Sequence, residues 1–331
     1  MRMLVIGGTR FVGRYVVEAA LARGHEVALL HRGQTGSDLF PQAEHLTADR
    51  DFEAALVKAL DGRSFDATVD VCAYVPRQVR ILADVLGDRG GHHVYVSSVS
   101  AYAEPPGPGA DESSPLAELA DKSTEEVTET TYGGLKTECE RAATAAYGEQ
   151  NVTIIRPTYV VGPHDPTGRF TRWVDRIRKG GQVLAPGPAD SPMQLVDARD
   201  QGTVIVSLAE RRTPGAFNTI GVAPPFSFAD MLEAIVGVVG PDGTKLVWVD
   251  ADRLTGEGVD GSLLPLWSEG GRENALAMSN AAILAAGMPV RPLADTIRDT
   301  LAWIDQAGDA VYRTPPLSAE REAELLAKLS A

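Results

Sequence analysis

The stretch Met3-Leu-Val-Ile-Gly-Gly-Thr-Arg-Phe-Val-Gly13 decides how the rest of the chain reads. Its first four residues are apolar, as a buried strand requires, and two adjacent glycines then permit a sharp turn. Phe11, Val12, Tyr15, Val16, Ala19, Ala20 and Ala22 follow at helical spacing until Arg23-Gly24 stops the helix. Glu26 to His31 makes a second strand, so the segment predicts a strand–helix–strand unit with a right-handed parallel crossover. Gly7 and Gly8 let the backbone approach a pyrophosphate, which the positive end of a helix favours, and Gly13 lets helix and strand pack closely. Arg10 stands where the dinucleotide fingerprint has its middle glycine. Gly7, Gly8, Thr9, Arg10, Phe11, Val12 and Gly13 are the candidate cofactor contacts of this turn.

At 331 residues, 44% hydrophobic and 23% charged, the chain can build one large α/β domain or a domain with a smaller lobe. No apolar run reaches the length of a membrane span, and Met-Arg-Met-Leu leads straight into the first strand. With no room for a signal peptide, a cytoplasmic protein is expected. A formal charge of −14 argues against nucleic-acid binding as the main task, because that affinity rests on clustered Lys and Arg. Cys72 in an apolar strand and Cys139 in a helix read as buried reduced thiols. Neither they nor the six histidines show ligand spacing, so no metal is expected.

After the second strand, His31-Arg32-Gly33 occupies the place where an NAD-binding chain usually carries an acid for the adenosine ribose hydroxyls. An acid repels a 2′-phosphate, whereas Arg32 attracts one. A third strand over 44–48 ends at Asp49-Arg50, placed to flank an adenine ring and also to cap the helix that runs to Leu60. A fourth strand (67–73), a helix (76–86) and a fifth strand (93–98) follow. Ser97 and Ser98 thus fall at a carboxyl end, where open α/β sheets bind ligands. Residues 104–129, rich in Pro, Gly and acids, read as a loop or lid with at most a short helix. Thr131 opens a helix to about Ala146, on which Tyr132 and Lys136 share a face. Residues 151–156 form a strand ending at Pro157-Thr-Tyr159.

Beyond Pro163 the alternation becomes irregular. Helices are expected near 170–178, 200–209, 227–239, 280–286 and 293–307, strands near 182–184, 194–196, 216–220 and 245–249, and a charged surface helix over 318–329. The whole predicts an α/β fold, a Rossmann-type doubly wound parallel sheet over 1–162 and 193–221. A smaller, discontinuous C-terminal substrate lobe takes 163–192 and 222–315, and 316–331 forms a helical tail.

Taken together, Gly7-Gly-Thr-Arg-Phe-Val-Gly13, Ser97-Ser-Val-Ser-Ala-Tyr102, Tyr132-xxx-Lys136 and Arg156-Pro-Thr-Tyr-Val-Val-Gly-Pro163 resemble the extended short-chain dehydrogenase/reductase family, of the NAD-dependent epimerase/dehydratase type. The likeness runs in order over nearly the whole chain. The glycine-turn variant and Asp197-xx-Asp200 look like a branch labelled as reductases or epimerases, whose distant relatives include chloroplast stem-loop RNA-binding proteins. The resemblance implies an NAD(P)-dependent carbonyl reductase or redox epimerase acting on a sugar-like or secondary-metabolite alcohol or ketone. Its triad would be Ser98, Tyr132 and Lys136, with Ser97 as the alternative serine.

A free phenol titrates near ~10, and a neighbouring ammonium together with a cationic nicotinamide would lower it into working range. Lys136 would supply that ammonium and hold the nicotinamide ribose. Pro157 and Tyr159 are expected among the cofactor contacts, with Asp70 to Tyr74, including Cys72 and Ala73, lining the cofactor cleft. Arg32, helped by Arg10, favours NADP(H), with NAD(H) as the alternative. A homodimer through the helix bearing Tyr132 is a further implication of the family.

Departures from the family pattern carry information. Val99 and Ser100 stand where dehydratases place an acid, which weakens elimination chemistry. Tyr159 and Met193 stand where nucleotide-sugar enzymes place Asn and Arg, so the substrate is expected to lack a nucleotide diphosphate. Trp173, Trp248, Leu266 and Trp267 would suit a ring-bearing molecule or plain core packing, while Arg169 and Arg172 keep the diphosphate reading open. A different class, a non-catalytic cofactor sensor or RNA-binding protein on the same fold, is disfavoured by the intact triad.

Overall fold

The computed structural model of the protein describes residues 1–103, 106–223, 225–267, 277–308 and 317–329. Parts of the expected loop (104–105), of the expected lobe (224, 268–276 and 309–315) and of the expected tail (316 and 330–331) lie outside these residues. Element order begins β1 (Arg2–Ile6), α1 (Phe11–Ala22), β2 (Glu26–His31), β3 (Glu44–Thr47), α2 (Glu53–Leu60), β4 (Ala67–Asp70), α3 (Pro76–Leu86), β5 (His92–Val96), α4 (Tyr132–Tyr147) and β6 (Val152–Pro157). It continues with β7 (Tyr159–Val161), α5 (Arg169–Ile177), β8 (Gln182–Pro186), β9 (Leu195–Asp197), α6 (Ala198–Arg211) and β10 (Gly215–Thr219). The last elements are α7 (Phe228–Val239), β11 (Lys245–Val249), α8 (Ala251–Gly256), α9 (Ala281–Ala285), α10 (Leu293–Ala307) and α11 (Ala319–Leu329).

The chain divides into two units. The first comprises Met1–Thr158, Ala198–Ile220 and Met278–Pro289. Its seven strands lie in the order β10-β6-β5-β4-β1-β2-β3, every pair parallel. Strands such as Val27-Ala-Leu-Leu30 are apolar on both faces, as a parallel sheet covered by helices on each side demands, and all four residues are buried. Winding reverses between β1 and β4, which makes this a Rossmann-type sheet with its switch point beside the glycine turn. Ile6 pairs with both Leu30 and Asp70, so the segments leaving β1, β2 and β4 emerge at one level.

A buried polar network ties α4 to β6 in this unit. Arg156 donates from Nε and Nη2 to the Glu140 carboxylate at 3.0 and 2.7 Å, and from Nη1 to the Tyr102 hydroxyl at 2.8 Å. Tyr102 donates onward to Asn218 Oδ1 at 2.7 Å, and the Asn218 amide donates to Glu112 Oε1 at 2.8 Å. Between 106 and 129 the described residues form no helix, and Glu112 pins this segment to β10.

The second unit comprises Tyr159–Asp197, Gly221–Ala277 and Val290–Ala331. It holds two parallel pairs, β7 with β9 and β8 with β11, around a core that includes Phe170, Trp173, Ile177, Met231 and Leu232. Leu325, Leu326 and Leu329 of α11 are buried in that core, and Glu322 accepts from the Leu184 amide at 2.9 Å.

Three expected boundaries therefore change. β7 and β9 group with the second unit, Met278–Pro289 returns to the first, and the C-terminal helix is part of the second core instead of a separate tail. The reason is physical: the apolar stripe of an amphipathic helix must be covered, and α11 covers the otherwise unpaired edge of β8.

Candidate active site

The glycine turn is built by close approach. Gly7 has φ +84°, and its amide donates to the Leu30 carbonyl at 3.0 Å. A Cβ on Gly13 would lie 2.2 Å from the Gly7 carbonyl oxygen, so only glycine lets α1 sit this near the turn. Arg10 at the N-cap makes no side-chain capping bond, and the first turn of α1 carries no acid. Phe11 is held at φ +37°, an uncommon conformation for a residue with a side chain. Backbone N–H groups at an uncapped helix start, approached through glycine, fit the pyrophosphate of a dinucleotide. Thr9 is buried and Val12 half-buried in the same segment.

At the adenosine corner the structure separates the expected residues. His31 ends β2, and Arg32 beyond it is exposed. Asp49 accepts from the Asp51 amide at 3.1 Å, an Asx turn that starts the chain toward α2. Arg50, expected beside an adenine ring, is buried and gives Nη1 and Nη2 to the two Asp70 oxygens at 2.6 and 2.7 Å. This is a correction, and it extends to Asp70, which is fully buried in the pair instead of lining a cleft. Burial alone would raise the Asp70 carboxyl, but the adjacent guanidinium wins and holds it below the usual carboxylate value.

Cys72 lies just past β4, partly exposed, where sequence suggested a buried strand position. Its Sγ would stand 2.8 Å from a Cβ on Gly7, which brings this segment against the glycine turn. Ala73 is fully buried, and Tyr74 is 46% exposed, so of the two it is Tyr74 that offers a side chain to a ligand.

Lys136 is the best-defined member of the expected triad. It lies in the first turns of α4, 3% exposed, and its ammonium donates to the Ala73 carbonyl at 2.9 Å and the Val96 carbonyl at 3.0 Å. The rings of Tyr74 and Tyr95 are centred 5.0 Å from Nζ, and that of Tyr132 5.9 Å away. Burial depresses Lys136 from its ordinary value to about 8. Tyr132 begins α4, half-buried.

α4 is docked on the serine turn: a Cβ on Gly133 would lie 2.2 Å from the Ser100 carbonyl oxygen, and Thr137 donates to the Ala101 carbonyl at 3.0 Å. Ser98 is half-buried and accepts from the Ser100 amide at 3.1 Å, whereas Ser97 is buried with an unpartnered hydroxyl. Ser98 is thus the more accessible of the two serines. Pro157 is buried at the end of β6.

In the second unit, Tyr159 opens β7 with the Arg169 guanidinium 4.9 Å over its ring. Met193 is 1% exposed, and Arg172 donates to the Ser262 carbonyl at 2.7 Å. Trp173 and Trp267 are core residues that donate to the Pro265 and Gly187 carbonyls, Leu266 is buried beside them, and Trp248 is partly buried against the same core. Among the described residues no group of three or more His, Cys, Asp or Glu is placed to hold a metal, and no helix is long and apolar enough to cross a membrane.

Sequence reasoning missed two supporting residues. Glu140 stands four after Lys136 on α4 and anchors Arg156, a spacing that was available as a signal. His45 bonds to His31 across two strands, and no local pattern announces it.

A family model described as the NAD dependent epimerase/dehydratase family matches residues 3–220. The chain is 23% identical over 237 residues to the chloroplast stem-loop binding protein of 41 kDa b of Arabidopsis thaliana, covering 66% of this chain and 58% of that protein. It is 32% identical over 93 residues to a bifunctional pinoresinol-lariciresinol reductase of Thuja plicata, 28% of each chain. The chain thus spans less than two thirds of the length of these curated relatives. Among solved structures, a UDP-glucose 4-epimerase from Thermotoga maritima superposes with TM-score 0.71 at 16% identity, covering 93% of this chain and 99% of that one. A nucleoside-diphosphate-sugar epimerase from Pseudomonas aeruginosa gives TM-score 0.69 at 19% identity, covering 95% and 99%. At such identities the superpositions speak to the fold, and it is the match from the first strand through β10 that decides membership: the chain belongs to the NAD-dependent epimerase/dehydratase family.

Proposed function

We propose that the protein is an NADP(H)-preferring oxidoreductase, a carbonyl reductase or redox epimerase, that acts on a sugar-like or secondary-metabolite alcohol or ketone. The observation that carries this reading is the buried Lys136 ammonium, hung from Ala73 and Val96 with the Tyr132 ring 5.9 Å away. A bound nicotinamide supplies or accepts the hydride. Tyr132 exchanges a proton with the substrate oxygen, which a phenol does efficiently only where a cation stabilises its phenolate. With Lys136 at about 8, that cation persists at neutral pH. Two of its three N–H groups are given to backbone carbonyls, which leaves one for a ribose hydroxyl. The half-buried Ser98 hydroxyl completes the hydrogen bonding of the substrate oxygen.

Arg32 is exposed and has no hydrogen-bond or ion-pair partner among the described residues, which suits a guanidinium that meets a 2′-phosphate. Titration of NADPH and NADH into the parent and Arg32→Ala tests this, and equal affinity of the parent for both cofactors would sink the preference. Buried Met193 and the stacking of Arg169 on Tyr159 support a substrate without a nucleotide diphosphate. Calorimetry with UDP- and dTDP-sugars on NADP-loaded protein tests that part, and micromolar binding lost in Arg169→Ala would overturn it. The likeness to a stem-loop binding protein makes RNA binding the second reading, which the charge of −14 opposes. A salt-dependent RNA gel shift beside absence of turnover on a carbonyl panel would favour it.

A further inference from the structure

Between β2 and β3 the chain leaves the sheet after His31 and returns at Glu44, and two imidazoles span this loop. The Gly33 amide donates to His31 Nδ1 at 2.9 Å. His31 Nε2 and His45 Nδ1 are 2.8 Å apart, and His45 Nε2 lies 3.2 Å from the Phe40 carbonyl oxygen. The two ends set the direction of every bond between them. A backbone N–H only donates and a carbonyl oxygen only accepts. His31 Nδ1 is therefore bare, His31 Nε2–H donates to His45 Nδ1, and His45 Nε2–H donates to Phe40. Both rings are neutral Nε2–H tautomers, because a second proton on either would set two N–H groups against each other. Burial, and secondarily the neighbouring His45, lowers His31 from its ordinary value and acts in the same direction.

The segment so held is strained and well packed. Phe40 has φ +58°, an uncommon conformation for a residue with a side chain that persists only where the surroundings over-determine it. Its carbonyl accepts from the Ala43 amide at 2.9 Å as well as from His45. Gly36, at φ +57°, approaches the glycine turn so closely that a Cβ on it would lie 3.1 Å from the Thr9 carbonyl oxygen. The loop is thus bonded near each end and packed in its middle on the phosphate-facing turn. Arg32 sits between the two bonded residues His31 and Gly33.

We propose that His31 and His45 are positioning residues for cofactor selection, a neutral two-imidazole brace that aims Arg32 at the adenosine 2′ position. The inference rests on the reading of Arg32 given above. A side chain aimed in advance loses less conformational freedom when the phosphate arrives, so the brace acts on the difference between NADPH and NADH more than on dinucleotide binding itself.

Two variants test it. His45→Gln keeps an acceptor and a donor in the same order, whereas His45→Phe fills the space with neither. In the parent, imidazole 15N–1H spectra at neutral pH are expected to show both rings protonated at Nε2. His45→Phe should lower the NADPH-over-NADH affinity ratio about tenfold and accelerate Gly33 amide exchange, with NADH affinity within about twofold of the parent. His45→Gln should restore both readouts. An Nδ1-protonated His31, or a Gly33 amide that exchanges alike in parent and His45→Phe, overturns the brace. Loss of NADPH preference in Arg32→Ala beside an unchanged ratio in His45→Phe overturns the brace and spares the Arg32 reading. Equal affinity of the parent for both cofactors overturns the Arg32 reading and the selective role with it.

Discussion

The Lys136 ammonium and the Val96 carbonyl oxygen are 3.0 Å apart, a bond that hangs a helix side chain from the last residue of the strand leading into Ser97 and Ser98. With the Ala73 carbonyl at 2.9 Å, one buried nitrogen links α4, β5 and the segment after β4. A displacement of any of these elements is therefore felt at the proposed proton-transfer group.

Tyr132→Phe is expected to lower turnover by about 10²–10⁴-fold while cofactor affinity stays near the parent value, since the phenolic proton matters in the transition state and not in cofactor binding. Lys136→Ala should damage both. Steady-state kinetics on an established substrate with cofactor titration checks this, and full activity of Tyr132→Phe removes the assignment.

Cofactor affinity should fall as pH rises through about 8, where burial has brought Lys136. Above that value the ammonium is lost, and with it the donor proposed for the ribose. The stability sign is the opposite. A base whose folded value is depressed gives up its proton first in the folded state, so its contribution to stability grows from about 8 up to its ordinary 10.5. Cofactor titration between pH 6 and 10 checks the first statement, and an affinity flat across the range contradicts it.

Arg50→Met should destabilise the first unit by about 3–5 kcal/mol, because it leaves the fully buried Asp70 carboxylate without its counter-charge. Adding Asp70→Leu should recover most of the loss, an apolar pair being nearly as good as a buried ion pair. Asp70 is held low by Arg50, so its contribution is present above the ordinary carboxylate value and disappears as pH falls through the depressed one. Urea unfolding of the single and double variants measures this, and a double variant no more stable than Arg50→Met alone argues against it.

Glu322→Ala should cost about 1–3 kcal/mol by stranding the buried Leu184 amide, and also removes the partner of Arg176. Glu322→Gln retains an acceptor for the amide and should cost less. Thermal melts of the two variants rank them, and equal melting temperatures would show that the Leu184 bond is immaterial.

The parallel sheet was legible because its strands are short apolar runs punctuated by Gly and acid, and the helix over Tyr132–Tyr147 because its spacing already puts Tyr132 and Lys136 on one face. Arg50 was misread because its partner Asp70 lies on another strand, and the local Asp49-Arg50-Asp51 string looks like a cap or a ligand contact. The imidazole pair was hidden for the same reason: Leu29 stands opposite His45 and His31 opposite Thr47, so their meeting is a diagonal of the register. The placement of α11 was missed because an amphipathic helix has the same pattern whether its apolar side is one rim of a core or a surface patch.

The two units are each assembled from three separate lengths of chain that alternate along the sequence. No single cut, and no pair of cuts, can release either one as an intact continuous polypeptide. Exchange of either unit of this chain as a module at one splice point is ruled out by the threading itself. A transplant of either unit has to carry all three of its lengths together.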